Sequence, residues 1–264
     1  MVKRSRIWRS SNKWCGTQNP SVFIKAMEPS LESGILDPED KRARAAAPRI
    51  RSVIARLIGD SSTTVAADGS RHDVRTVSIS VGEGEALTRW VLQEKAVKTI
   101  EIGLAFGVSA LRICEGLIGS GNPDARHIVL DPFQARSFSN RGLQALEEAG
   151  VIPIVEFHPE MSQIALPVFL RKGRSFDFGF VDGNHRFDSV FLDLFYLGRL
   201  LRRGGVIILD DYDLPGIRRA VSFYVTNLGW RVEETSLAGD DHHWVVLRTA
   251  EAEDNRDFRH FVDF

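Results

Sequence analysis

The sequence predicts an α/β protein built on a doubly wound, mostly parallel sheet that ends in an antiparallel hairpin. Three observations predict it. From Val97 to Asp211, short apolar runs of strand length alternate with segments whose apolar residues recur at helical spacing. The helical periodicity is clear after Asp182, where Phe187, Val190, Phe191, Leu194, Leu197 and Leu201 form one apolar stripe. The last two strand-like runs, Trp230–Thr235 and His243–Thr249, are separated only by Ser-Leu-Ala-Gly-Asp-Asp-His, which permits a hairpin and no helical crossover.

The elements follow in order. Met1 to Pro38 shows little periodicity and reads as a leader. Asp37-Pro38-Glu39-Asp40 reads as a helix start, with Asp37 as N-cap, and the helix runs through Ile50, Val53, Ile54, Leu57 and Ile58 to stop at Gly59. Asp60 to Arg75, rich in Ser, Thr, Asp and Gly, reads as a long connection. A helix over Gly84–Lys95 precedes a buried strand over Val97–Gly103. Further strands are expected at His127–Asp131, Val151–Phe157, Phe176–Asp182 and Gly205–Asp211. Helices are expected at Val108–Ile118, Phe138–Ala149, Ser162–Leu170 and Phe187–Leu201, and the tail Glu251–Phe264 has no assignment. The domain boundaries expected are 1–75 for the leader, helix and connection, 76–250 for the α/β domain and 251–264 for the tail.

Composition excludes several classes. With 43% hydrophobic and 26% charged residues the 264-residue chain reads as a soluble globular protein, and no apolar run is long enough to span a bilayer. A net charge of −1 gives no overall field for nucleic acid or an acidic membrane. The one basic excess, Lys3, Arg4, Arg6, Arg9 and Lys13, reads as a solvated tail. Cys15 and Cys114 occupy unlike contexts and are not expected to pair, so a reducing cytoplasm is the default compartment.

Four strand ends carry candidate chemistry. The first is Glu101-Ile-Gly103-Leu-Ala-Phe-Gly107-Val-Ser109, where glycines permit a sharp turn and close approach to a ligand at a helix start; taken alone, it is equally a packing turn. The second is Asp131, 24 residues after Gly107, placed to accept hydrogen bonds from ribose hydroxyls. Leu104, Ala105 and Phe106 after Gly103 break the G-x-G-x-x-G fingerprint and argue against NAD. Val181-Asp182-Gly183-Asn184-His185 and Leu209-Asp210-Asp211-Tyr212 supply the third and fourth. Five acids, Glu101, Asp131, Asp182, Asp210 and Asp211, thus share one sheet edge, and Asp182, Asp210 and Asp211 suit Mg²⁺ or another divalent cation unless they act only as helix caps. Asp240-Asp241-His242-His243 reads as a solvated turn rather than a metal site, and Trp230 as core.

From Ser80 to Leu117, including Gly84-Glu-Ala-Leu and Lys98-Thr-Ile-Glu-Ile-Gly-Leu-Ala-Phe-Gly-Val-Ser, the chain resembles the catechol and caffeoyl-CoA type O-methyltransferases. Phe180-Val-Asp-Gly-Asn-His and Gly204-Gly-Val-Ile-Ile-Leu-Asp-Asp resemble the second half of that pattern, and the Asp-Gly-x-His variant is closer to a broad bacterial branch. The resemblance spans Val77 to Thr249 and implies a seven-stranded, Rossmann-like class I fold that binds S-adenosylmethionine. By that resemblance Glu101 and Gly103 face the methionine end of the cofactor, Asp131 the ribose and Met161 to Gln163 the adenine, and Gly107, Ser109, Ser162 and Asp182 are also expected to bind it. It also implies a divalent ion on Asp182 and Asp210, with Asp211 where the family commonly has asparagine, and places His185 where it often carries a lysine base.

The expected reaction is methyl transfer to a hydroxyl of a small molecule, with Asp182 at the metal and His185 as proton acceptor or, alternatively, a helix cap. Metal-independent transfer to another acceptor and a non-catalytic subunit that keeps the fold stand as alternatives. No nucleic-acid or membrane partner is expected, and the apolar N-terminal helix outside the core offers a homodimer contact.

Overall fold

The computed structural model describes residues 41–59, 63–65, 69, 71–236 and 242–264, with side chains from Ala46 onward. All of them belong to one unit, Leu36–Phe264. The expected leader, the Asp37 cap, Cys15, Asp240 and Asp241 lie outside the described residues.

Helix α1 (Lys41–Ile58) leads to β1 (Thr63–Val65) and β2 (Arg71–Asp73), then α2 (Val81–Gln93), β3 (Lys98–Ile102), α3 (Val108–Gly119) and β4 (Arg126–Leu130). Next come α4 (Gln134–Ser137), α5 (Arg141–Ala149), β5 (Val155–His158), α6 (Ser162–Arg171), β6 (Phe176–Val181) and α7 (Phe187–Leu200). The chain continues through β7 (Leu201–Leu209), α8 (Pro215–Leu228), β8 (Arg231–Thr235) and β9 (Val245–Arg248).

Seven strands form one sheet in the order β5-β4-β3-β6-β7-β9-β8. The first five are parallel neighbours, whereas β9 runs antiparallel to both β7 and β8. The chain winds outward from β3 to β5, returns, and winds the other way through β6 and β7. The strand order therefore reverses beside β3, and ligands of such sheets bind outside the carboxyl ends at that point.

Period-two alternation divides the strands between two apolar layers. Val129, Phe178, Phe180, Val206, Ile208 and Val246 face the layer of α1, α2, α3 and α5. Ile100, Ile102, Ile128, Leu130, Val181, Ile207 and Leu209 face α6, α7 and α8. The stripe expected on α7 buries Val190, Leu194 and Leu197, each worth about 1.5–3 kcal/mol. Trp230 is buried, as expected.

Several local expectations shift. Residues 60–75 contain the antiparallel pair β1–β2 and a 3₁₀ turn at Val74–Thr76, because Thr63-Thr-Val65 favours strand. Ser139 and Asn140 take positive φ, so the helix expected over Phe138–Ala149 begins only at Arg141. Pro153 holds Ile152–Ile154 in a 3₁₀ turn, so β5 starts at Val155. Helix α2 starts earlier than expected, capped by the Ser80 hydroxyl, which accepts the Glu83 N–H at 3.1 Å. Ile50, Val53, Ile54 and Leu57 of α1 are buried in the core with α3 and α5, so this face is not free for a second copy. The unassigned tail docks on α8, where the Asn227 amide donates to the Val262 carbonyl at 2.9 Å and accepts its N–H at 2.8 Å.

Candidate active site

The loop after β3 meets the loop after β6 where the strand order reverses. Gly103 has φ +100°, and a Cβ there would lie 2.1 Å from the Asp182 carbonyl oxygen, so only glycine permits the approach. Ala105 follows at φ +45°, a conformation that costs a non-glycine residue roughly 1 kcal/mol. Gly107 is the N-cap of α3 and offers no side-chain cap, leaving first-turn N–H groups uncapped.

The Glu101 carboxylate lies under this loop. Like Thr99 it is on the α3 face of β3, opposite to Ile100 and Ile102, and it is fully buried. The Ser109 hydroxyl donates to one of its oxygens, and His127 Nε2 lies 2.8 Å from the other. His127 Nδ1 is in turn 2.9 Å from Thr99 Oγ1. Each Glu101 oxygen thus has a partner, and the carboxylate ties the start of α3 to β3 and β4.

Asp131, at the end of β4, is 3% exposed. Its Oδ2 accepts the Leu104 and Ala105 N–H groups at 3.2 and 3.1 Å and the Gln134 amide at 2.8 Å. Its Oδ1 accepts the Phe133 N–H at 2.7 Å. Four donors saturate the carboxylate and pin the Gly103–Gly107 loop to β4.

The other half of the crevice is built by β6, β7 and α2. Two groups of ligand atoms lie within 4.8 Å of one another among the described residues: Asp182, His185 and Asp211, and Glu83, Asp210 and His242. In the first, His185 bridges the acids, with Nδ1 at 2.9 Å from Asp211 and Nε2 at 3.3 Å from Asp182. Burial opposes its charge, but Asp182 and Asp211 outweigh it and push His185 up to about 10. Asp211 holds φ +53°, and its N–H donates to Asp210 Oδ1 at 2.7 Å.

In the second group Glu83 is 0% exposed, and neither carboxylate oxygen meets a hydrogen-bond donor among the described residues. Burial first, then the charges of Asp210, Asp182 and Asp211, push Glu83 well above the usual carboxylate range. Burial and the Asp182 and Asp211 charges do the same to Asp210. Asp182 is raised by burial, and His185 works against that rise.

Of the residues singled out from sequence, Gly103, Asp131, Asp182, His185, Asp210 and Asp211 meet at this edge, with Gly107 and Ser109 at the start of α3. Ser162 lies at the start of α6, where its hydroxyl donates to the Gln163 side-chain oxygen at 3.4 Å. Glu83 is not among the residues singled out from sequence, and His242 falls in the run that reads as a solvated turn. Ser80-Val-Gly-Glu83 has capping-box spacing, which explains an acid there without a site. The carboxylate nevertheless turns inward to Asp210. A cleft of about 630 Å³ beside Trp230, Arg231 and Glu251–Arg256 is at the opposite sheet edge and holds none of these groups.

Residues 100–212 match the methyltransferase-domain family. No curated protein sequence matches the chain. Among solved structures, the O-methyltransferase TomG from Streptomyces achromogenes, involved in tomaymycin synthesis and in complex with SAM, superposes with a TM-score of 0.57 at 22% identity, covering 87% of this chain and 96% of that one. The O-methyltransferase from Bacillus cereus in complex with SAH gives 0.56 at 18% identity, over 81% and 93% of the two chains. Cofactor-bound Rv0187 from MTB gives 0.57 at 19% identity, over 90% and 100%. Residues 100–212 thus match a methyltransferase domain, and the chain shares the fold of these structures, with its seven-stranded order and terminal antiparallel pair.

Proposed function

We propose that the chain transfers the methyl group of S-adenosylmethionine to a hydroxyl of a small molecule, assisted by a divalent cation. The observation that carries this reading is the construction of the crevice: a glycine loop pinned by Asp131 on one side of Gly103 and a convergent group of acids on the other. The SAM and SAH complexes of the structural neighbours support the choice of cofactor.

Asp131 would take the ribose hydroxyls. Because four protein donors saturate it, a ribose diol reaches the carboxylate only as the Gly103–Gly107 loop yields some of these bonds. The strained Ala105 backbone makes that loop the element to yield. The uncapped first turn of α3 suits the methionine carboxylate, and Ser162 at the start of α6 would lie by the adenine.

In the reaction the sulfonium–methyl bond breaks, its electron pair stays on sulfur, and the acceptor oxygen forms the new bond while its proton leaves to a base. Asp182, Asp210 and Asp211 would hold the cation, and the Glu83 oxygens beside Asp210, which meet no hydrogen-bond donor among the described residues, support that reading. Such an ion, when bound, lowers the pKa of a hydroxyl beside it. His185 is an imidazolium at neutral pH while it faces both carboxylates, and so is no base. With Asp182 and Asp211 committed to other charge, it returns toward its free value near neutrality and can take the proton.

The bridge from His185 to Asp182 and Asp211 also favours a second reading, in which the histidine alone neutralises these acids and transfer is metal-independent. Labelled methyl transfer from S-adenosylmethionine to a panel of phenols and alcohols, with EDTA and then with restored Mg²⁺ or Mn²⁺, separates the two. Loss and recovery of transfer supports the metal-assisted reaction. Transfer indifferent to EDTA supports the second, and transfer to no hydroxyl overturns the assignment of the acceptor.

A further inference from the structure

We infer that Glu83 and His242, together with Asp210, form a divalent-cation site of mixed carboxylate and imidazole ligation, extending the acids of the two strand ends onto α2 and the β8–β9 connection. The inference rests on the metal-assisted reading above and adds to it two ligands from elements outside those strand ends.

Three elements converge here. Glu83 comes from the first turn of α2, Asp210 follows β7, and His242 precedes β9. One ligand atom from each lies within 4.8 Å of the other two. Donors about 2.0–2.4 Å from a common ion are at most about 4–4.8 Å apart, so the three can share one cation. Glu83 is the independent pointer to a ligand. Its carboxylate is 0% exposed, both oxygens lack a donor among the described residues, and what faces them is another acid. A buried carboxylate without a donor is costly, and the cost is relieved by a shared proton or by a cation. A shared proton needs only Glu83 and Asp210. The third convergent group, an imidazole nitrogen, serves a cation.

The donor set also selects the ion. Oxygen ligands alone suit Mg²⁺ and Ca²⁺, whereas an imidazole beside two carboxylates favours Mn²⁺, Co²⁺ or Zn²⁺. The site is therefore expected to bind Mn²⁺ and Co²⁺ more tightly than Mg²⁺, and His242 is the residue that sets the preference.

The test is direct cation binding to the full chain, with no turnover required. Mn²⁺ is titrated calorimetrically into wild type, Glu83→Gln, His242→Ala and Asp182→Asn, and the visible spectrum of bound Co²⁺ is recorded for each. Circular dichroism and S-adenosylmethionine binding establish that each variant is folded. The expected result is that Glu83→Gln and His242→Ala each weaken Mn²⁺ by at least about tenfold, that His242→Ala also loses the preference over Mg²⁺, and that the Co²⁺ bands shift. Unchanged affinity and spectra in both variants, with binding lost in Asp182→Asn, would overturn the Glu83 and His242 site and leave the proposed function standing. No cation binding to the wild type would overturn both.

Discussion

Asp131 and Glu83 are both buried carboxylates at the same edge of the sheet, on opposite sides of Gly103, and their surroundings are opposite. Asp131 accepts four protein donors, while Glu83 accepts none among the described residues and faces further acids. The first is satisfied by the protein itself and pins the Gly103–Gly107 loop to β4. The second is unfinished, and an unfinished buried charge marks where a ligand belongs. The contrast teaches that charge removal should have opposite effects on the two halves.

The largest effect is expected between them. In Gly103→Ala the new Cβ would lie 2.1 Å from the Asp182 carbonyl at a φ of +100°. Backbone must move on both loops, so a loss of about 3 kcal/mol or more, or failure to accumulate folded protein, is expected in urea titration. A near-normal midpoint would show that the loops do not meet this closely.

Asp131→Ala comes next. It orphans four donors and should cost about 2–4 kcal/mol in the same titration. A loss below about 0.5 kcal/mol would remove the anchoring role.

A third acid sharpens the comparison away from the crevice. Asp193 is 1% exposed, and burial pushes it up to about 7, with the Ser162 hydroxyl acting in the other direction. Its folded value exceeds its unfolded value near 4, so the native state binds the extra proton between those two values. Stability is expected to fall as pH rises from about 4 to 7, by about 2–4 kcal/mol from this group. Asp193→Asn should flatten that slope and raise the melting temperature at pH 8. A slope unchanged in the variant contradicts the assignment.

The smallest effect distinguishes the two halves by sign. Glu83→Gln removes the charge and gives Asp210 an amide donor, so the metal-free protein in EDTA should gain about 1–2 kcal/mol. Destabilisation of that form would mean that Glu83 is already satisfied.

How much of this was legible in the sequence follows from what each residue does locally. The strand-end acids Asp131, Asp182 and Asp210 follow apolar runs, and the fold and the crevice could be read from them. The antiparallel end was legible from the short connection before His243. The place of Glu101 was also encoded, since alternation with Ile100 and Ile102 puts it on the α3 face, but the glycine loop drew attention to its crevice side. Glu83 was hidden because its spacing from Ser80 is that of a helix cap, and His242 because a polar turn explains itself. Which distant groups meet is a property of the closed sheet. The start of the helix at Arg141 rather than Phe138 depends on positive φ at Ser139 and Asn140, which neither residue type dictates.

The central claim is that the Asp131 side of the crevice holds S-adenosylmethionine. Calorimetric titration of S-adenosylmethionine into the wild type and Asp131→Asn, with fold verified for both, tests it most directly. Saturable binding that weakens by about 10- to 100-fold in the variant is the expected result, the loss of charged hydrogen bonds to ribose. Absence of binding to the folded wild type, or equal affinity in both, would contradict it.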